Sequence, residues 1–338
     1  MKEDNILKKP FKFLSAWRPL PSYELVGYIL MYASVPMLAY GIKPYNSDII
    51  KIIVLTVLTM YSGFFAALIW NDITDREIDA VAHPDRPVPS GRISPKMFFA
   101  IALIFSAMTF IFALSVSLWC LALVGIAALF VAFHDKYLKK IVKIPAYSEI
   151  FTPIQWVVVA IFGFLAIWTT FQQSGDINLA MPVSGYISLN IYDFQNMILL
   201  VLFTYFIDNA HDLPEGIHDV DGDRKLGVRT YATSFGEKTA AKISFAMFFI
   251  SGSIGIVLWF RTLLSLIFLV PFLFLWLYTL YNSYKFIRIN DDFQRRQQGK
   301  IMGKKGYDFF LFSYTLIFLD VLIQLLNAFY LHWTNVII

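Results

Sequence analysis

Long apolar runs recur from one end of this 338-residue chain to the other. A chain carrying so many of them satisfies its backbone by stacking helices within a bilayer, where water is not there to take the free amide groups. Nine runs are long enough, or nearly so, to span it: residues 22–42, 50–70, 96–115, 116–134, 147–168, 195–212, 239–259, 262–284 and 307–331. Hydrophobic residues make up 58% of the chain and charged ones 15%, with a mean hydropathy of +0.61, well outside the soluble range. The expected fold is an all-α integral membrane protein, a single domain over residues 1–338.

Basic residues provide an independent check, because they stay on the cytoplasmic side of short loops. Of 28 lysines and arginines, 25 fall in the N-terminal arm (1–21) or in the segments after runs two, four, six and eight. Lys43, Lys51 and Arg261 are the other three. The partition implies nine spans, with the N-terminus cytoplasmic and the C-terminus on the opposite side. It also accounts for the net charge of +4 without a nucleic-acid partner. The arm carries Trp17 and Arg18 as an interfacial anchor and shows no secretory signal. Residues 169–194, free of Lys and Arg, are expected as an irregular outer loop with an extended piece over 183–189, and residues 285–305 as a basic, mobile loop. Cys120, the one cysteine, excludes an intrachain disulfide.

Run two ends in Asn71-Asp72-Ile-Thr-Asp75-Arg-Glu-Ile-Asp79. If the helix continues, Asn71, Asp75 and Asp79 lie at i, i+4 and i+8 on one face, and Asp72 about 100° round. Carboxylates stacked at the end of a membrane helix are costly unless a cation binds there. A second cluster, Asp219, Asp221 and Asp223, follows run six, with Asp219 and Asp223 again four apart and Asp221 pointing elsewhere. Pro214 and Gly216 are expected to break or bend the helix before it. The clusters are separated by four runs, which implies two four-helix halves plus a ninth helix around a central cavity.

Hard oxygen donors of this kind suit Mg²⁺, which is normally held by one or two carboxylates plus phosphate oxygens. A diphosphate gripped between Asn71, Asp72, Asp75 and Asp79 on one side and Asp219 and Asp223 on the other satisfies that requirement. Arg86, Lys139, Lys140, Arg224 and Lys225 are the basic candidates for its remaining charge. His83, His211 and His218 lack the spacing of a zinc site. If the organic part is allylic, loss of diphosphate leaves a carbocation that needs aromatic walls, for which Phe64, Phe65, Trp70, Tyr205 and Phe206 are placed near the clusters. Glu149, Gln155 and Asn209 are polar groups in or near spans, each able to face the cavity or to bridge helices, and Asn209 ranks first of the three.

These motifs, with His83 to Arg92 after the first and Gly227-Val-Arg-Thr230 after the second, resemble the UbiA-type intramembrane prenyltransferases. Asp75-Arg-Glu-Ile-Asp-Ala80 with Arg86-Pro-Val-Pro-Ser-Gly91 is similar to the chlorophyll synthase and digeranylgeranylglyceryl phosphate synthase branches, and Asp219-Val-Asp-Gly-Asp-Arg-Lys225 to the homogentisate prenyltransferase branch as well. The resemblance implies Mg²⁺-dependent transfer of a polyprenyl group from a prenyl diphosphate to a hydrophobic acceptor in the membrane. That acceptor would be an aromatic compound, a quinone precursor or a lipid alcohol. Asn71, Asp75, Asp79, Asp219 and Asp223 would be the metal and diphosphate residues, with Lys139 or Lys140 the basic contact. Two positions depart from the pattern: Asp135 and His134 stand where many members have a tyrosine, and Gly216 where some have an aspartate. A terpene cyclase is the alternative reading, and a divalent-cation transporter a weaker one.

Overall fold

The computed structural model describes residues 21–41, 46–74, 76, 80, 84, 86–138, 141–171, 175, 177–181 and 185–337. In chain order these form α1 (Ser22–Tyr40), α2 (Ser47–Thr74), α3 (Pro95–Val116), α4 (Leu118–Phe133), one π-helical turn (His134–Leu138), α5 (Tyr147–Phe151) and α6 (Ile154–Thr170). A hairpin, β1 (Ile177–Met181) and β2 (Gly185–Leu189), leads to α7 (Ile191–His218), α8 (Val220–Leu226), α9 (Tyr231–Phe235), α10 (Glu237–Arg261), α11 (Leu266–Ile287) and α12 (Asp292–Ile337). Among the described residues, seven helical stretches are long and apolar enough to cross a membrane: α2, α3, α5 with α6, α7, α10, α11 and most of α12. The remaining two runs are α4, a shorter apolar helix, and α1, whose four tyrosines, Glu24 and Pro36 dilute its apolarity.

Local chemistry sets the boundaries. Ser117 ends α3 and its side chain accepts from the Cys120 amide to start α4, so the chain reverses on one residue. Helix α7 does not stop before the second cluster: it runs through Pro214 and Gly216 to His218. Proline deprives the Ala210 carbonyl of its amide partner, and the Ser244 hydroxyl of α10 donates to that carbonyl at 2.7 Å instead. Within the segment expected to be irregular, β1 and β2 pair as a regular antiparallel ladder, Ile177 opposite Leu189, which packs Ile187 and Leu189 inward.

Residues 285–305 are likewise not a loop. Helix α11 reaches Ile287, and α12 begins at Asp292 with Asp291 accepting from the Gln294 amide at 3.0 Å. An Arg295–Asp292 pair reinforces that first turn. At 46 residues α12 is about 69 Å long, more than twice the hydrocarbon thickness of a bilayer. Around it α1 packs against α2, α6 and α12, while α7 packs against α6, α10 and α12. The close approach of α7 and α12 depends on Gly306, where a Cβ would stand 2.7 Å from that of His211. Nothing is left over to fill at that crossing.

Candidate active site

The first acidic segment closes α2. Asn71 is half-buried, Asp72 is 2% exposed, and the Arg86 guanidinium lies 3.7 Å from the Asp72 carboxylate. Arg86 is held there by the turn that follows it, in which the Ser90 hydroxyl donates to the Arg86 carbonyl at 2.6 Å and Gly91 takes a left-handed φ of 72°. Asp75, Asp79 and His83 lie outside the described residues, as do Lys139 and Lys140.

The second segment is built by a helix break placed after His218. Asp219 immediately precedes α8, and the Asp223 amide donates to the Asp219 carbonyl at 3.0 Å, so the two side chains start one turn apart. Burial, and then the neighbouring Asp219 charge, push the Asp223 carboxyl up to about 6. Asp221 is turned to the other side. Its carboxylate accepts from Arg296 of α12 at 2.6 Å and lies 3.8 Å from Arg224. Arg296 also donates to the buried Glu237, at 2.7 and 3.1 Å, and Arg224 approaches the same carboxylate at 3.6 Å. His218 donates through Nδ1 to the Arg296 carbonyl at 2.9 Å. Arg224 therefore already faces two carboxylates, whereas Lys225 is exposed.

The Gly227 to Thr230 motif fastens this segment. Gly227, at φ 72°, ends α8, and Thr230 and Thr233 cap α9 reciprocally. Arg229 donates to the Lys143 carbonyl, and the Ser148 amide to the Arg229 carbonyl at 3.2 Å. The Tyr231 amide donates to the Glu149 carboxylate, whose other oxygen fills the notch at Gly216; a Cβ there would meet it at 2.1 Å.

A polar stripe inside α7 escaped the reading of the sequence. Asp208 is 1% exposed, and its carboxylate pairs with His211 Nε2 at 3.0 Å. His211 Nδ1 lies 3.4 Å from Asp212. Asp208, Asp212, Glu215 and Asp219 fall at i, i+4, i+7 and i+11, one helical face descending from the interior to the second cluster. The signal was that spacing, masked by the expectation that Pro214 and Gly216 break or bend the helix. Of the two roles open to it, Asn209 takes the bridging one: it donates to the Glu149 carbonyl at 3.1 Å and joins α7 to α5.

Aromatic rings connect the two helices that carry the clusters. Phe64 of α2 lies 4.8 Å from Tyr28 and 6.0 Å from Trp156, which lies 5.5 Å from Phe310, itself 6.1 Å from His211. Tyr307 joins them, edge-on to His211 at 5.0 Å with its hydroxyl bonded to that of Tyr28. Phe65 and Trp70 turn instead toward α3, against Phe105 and Phe99, and the Tyr205 hydroxyl donates to the Ile150 carbonyl.

Whether the donor set fits Mg²⁺ follows from its chemistry. Around Asp219 and Asp223 the charged donors are carboxylate oxygens, and among the described residues no three His, Cys, Asp or Glu side chains converge closely enough to hold an ion by themselves. One or two carboxylates per ion, completed by water and phosphate oxygens, is the coordination Mg²⁺ prefers.

The family model described as the UbiA prenyltransferase family matches residues 29–313. Two relatives are named digeranylgeranylglyceryl phosphate synthase. The one from Natronomonas pharaonis is 29% identical over 52% of this chain and 53% of its own length. The one from Pyrococcus horikoshii is 26% identical over 70% and 73%. The chain thus spans about half the length of the first and nearly three quarters of the second. Among solved structures, an apo UbiA homolog from Aeropyrum pernix K1 superposes with a TM-score of 0.64 at 18% identity, over 90% of this chain and 99% of the other. A UbiA homolog from Archaeoglobus fulgidus bound to GPP and Mg²⁺ gives 0.55 at 14% identity, over the same shares. These likenesses show a common fold.

Proposed function

This chain belongs to the UbiA prenyltransferase family, and on that premise we propose that it transfers a polyprenyl group from a prenyl diphosphate to a lipophilic acceptor within the membrane, with Mg²⁺. The observation that carries the reading is the pair Asp219 and Asp223, one helical turn apart at the foot of the α7 stripe, whose His211 meets an aromatic wall that continues to α2. Asp219 and Asp223, with Asn71, Asp72, Asp75 and Asp79, would hold the metal. When bound, the metal neutralises charge developing on the departing diphosphate.

The protein's own residues do the rest. Lys225, Arg86, Lys139 and Lys140 offset the remaining phosphate charge, and Arg224 joins them by exchanging its carboxylate partners. The C–O bond to the allylic carbon breaks with its electron pair leaving on the diphosphate. An acceptor lone pair or π pair then forms the new bond, and the acceptor's proton departs. The rings of Phe64, Trp156 and Phe310 present π faces to the cation and exclude the water that would intercept it. The relatives' name makes a prenylated glyceryl phosphate the first acceptor to test, ahead of aromatic acids and quinone precursors.

The test is an assay of purified protein with farnesyl and longer prenyl diphosphates, an acceptor panel, and either Mg²⁺ or EDTA, read by mass spectrometry. The expected product has the mass of acceptor plus prenyl group and forms only with the metal. A cyclic or linear terpene from the donor alone would make the protein a cyclase. Absence of diphosphate release with every donor would end the reading.

A further inference from the structure

Apart from the exposed Lys300, the cations on the first turns of α12 divide into two sets. Those facing the bundle have carboxylate partners: Arg295 with Asp292, Arg296 with Asp221 and Glu237, and Lys304 with Glu24 and with Asp308 at 3.2 Å. Lys305, the next residue, faces the end of α11 together with Lys285. Among the described residues neither has a carboxylate within 4 Å. Lys305 donates to the Asn282 side-chain oxygen at 2.7 Å, and Lys285 rests over the Tyr281 ring at 4.3 Å. Both line a cavity of about 290 Å³ between α11 and α12, with Asn282, Gln294 and Gln298 as further polar lining, Phe286 beneath, and no acidic residue.

We propose that this cavity binds the phosphate headgroup of an anionic membrane lipid. A retention signal for basic residues explains lysines on this side of the bilayer. It does not explain two uncompensated ones converging on a single acid-free cavity. The surroundings match the other part of such a molecule. Down α11 from Lys285, the side chains of Tyr281, Tyr278, Leu277 and Phe274 occupy one helical face, at i, i+3, i+4 and i+7 counted from Phe274, and are 55–72% exposed. A headgroup seated between the lysines lays its acyl chain along that strip, at the depth where α11 passes from its polar end into its apolar stretch. Basic pockets between transmembrane helices are a recurrent way of holding such lipids. A free phosphate would use the lysines but leave the strip without a role.

The test uses the full-length protein in vesicles of phosphatidylcholine, with or without phosphatidylglycerol, read by thermal unfolding and by native mass spectrometry of retained lipid. Wild type is expected to retain phosphatidylglycerol and to gain Tm from it. The double variant Lys285→Gln/Lys305→Gln should bind it roughly thirtyfold more weakly, about fivefold per lysine. Lys285→Arg/Lys305→Arg should behave as wild type, which separates lost charge from misfolding, and Lys300→Gln, an exposed lysine of the same helix, should change nothing. Equal retention of phosphatidylcholine and phosphatidylglycerol, or undiminished retention by the glutamine pair, overturns the proposal. So does an equal gain in Tm from inorganic phosphate in phosphatidylcholine vesicles, which would assign the cavity to the free ion.

Discussion

The two acidic segments share a residue pattern and differ in what supports them. The first stands at the end of α2, and its buried Asp72 faces an arginine from the turn that follows it in sequence. The second is supported from far away: Arg296 of α12 binds Asp221 and Glu237, α5 supplies Glu149, and one face of α7 carries a row of acids down to it from the buried Asp208. The contact described for the first is local, and those of the second come from tertiary structure. A local device survives disturbance elsewhere, whereas an assembled one reports every change in the helices that hold it.

The largest expected effect tests whether both segments serve one substrate. Asp75→Ala and Asp219→Ala should each lower prenyl transfer by about two to three orders of magnitude, measured by product mass spectrometry under saturating Mg²⁺. Full activity in either variant would break the shared grip. Next comes the buried pair above the second segment. His211→Ala leaves Asp208 buried without its partner and should destabilise the protein by about 3 kcal/mol, seen as a lower Tm in detergent. An unchanged Tm would show that the stripe is not structurally coupled to the fold.

Arg296→Lys should be smaller, about 1–2 kcal/mol, since an ammonium cannot reproduce the contacts to Asp221 and Glu237 together. The same exchange at Arg86 should be milder still, which is the comparison in its sharpest form. The smallest effect is in pH dependence. Asp223 has its carboxyl raised from 3.8 to about 6, so the folded state keeps a proton that the unfolded state has already lost. Its contribution to stability is complete below 3.8 and disappears as pH rises through about 6. Asp223→Asn should therefore flatten that decline in Tm across this window. Metal binding competes with the same proton, so the apparent Mg²⁺ affinity of wild type should fall as pH is lowered through about 6.

Much of this was legible from residue order. Apolar length located the helices, because a bilayer leaves a chain few other options, and a four-residue spacing located Asp219 and Asp223. What stayed hidden depended on partners distant in sequence. Pro214 reads as a break or bend, and it is Ser244, 30 residues on, that supplies the donor letting the helix continue. The lysine- and arginine-rich stretch before residue 305 reads as a loop because its carboxylate partners, Asp221, Glu237 and Glu24, belong to other helices. Gly216 reads as a lost aspartate, yet a carboxylate from α5 occupies its place.

Helix α12 has no proline along its 46 residues and runs through them without a break. Its first turns hold Asp221 through Arg296, and Asp320, about 36 Å further along, accepts from the Ser265 hydroxyl at 2.7 Å, where α11 begins. A pull on the segment that carries Asp219 and Asp223 is therefore expected to reach the start of α11 through a single helix.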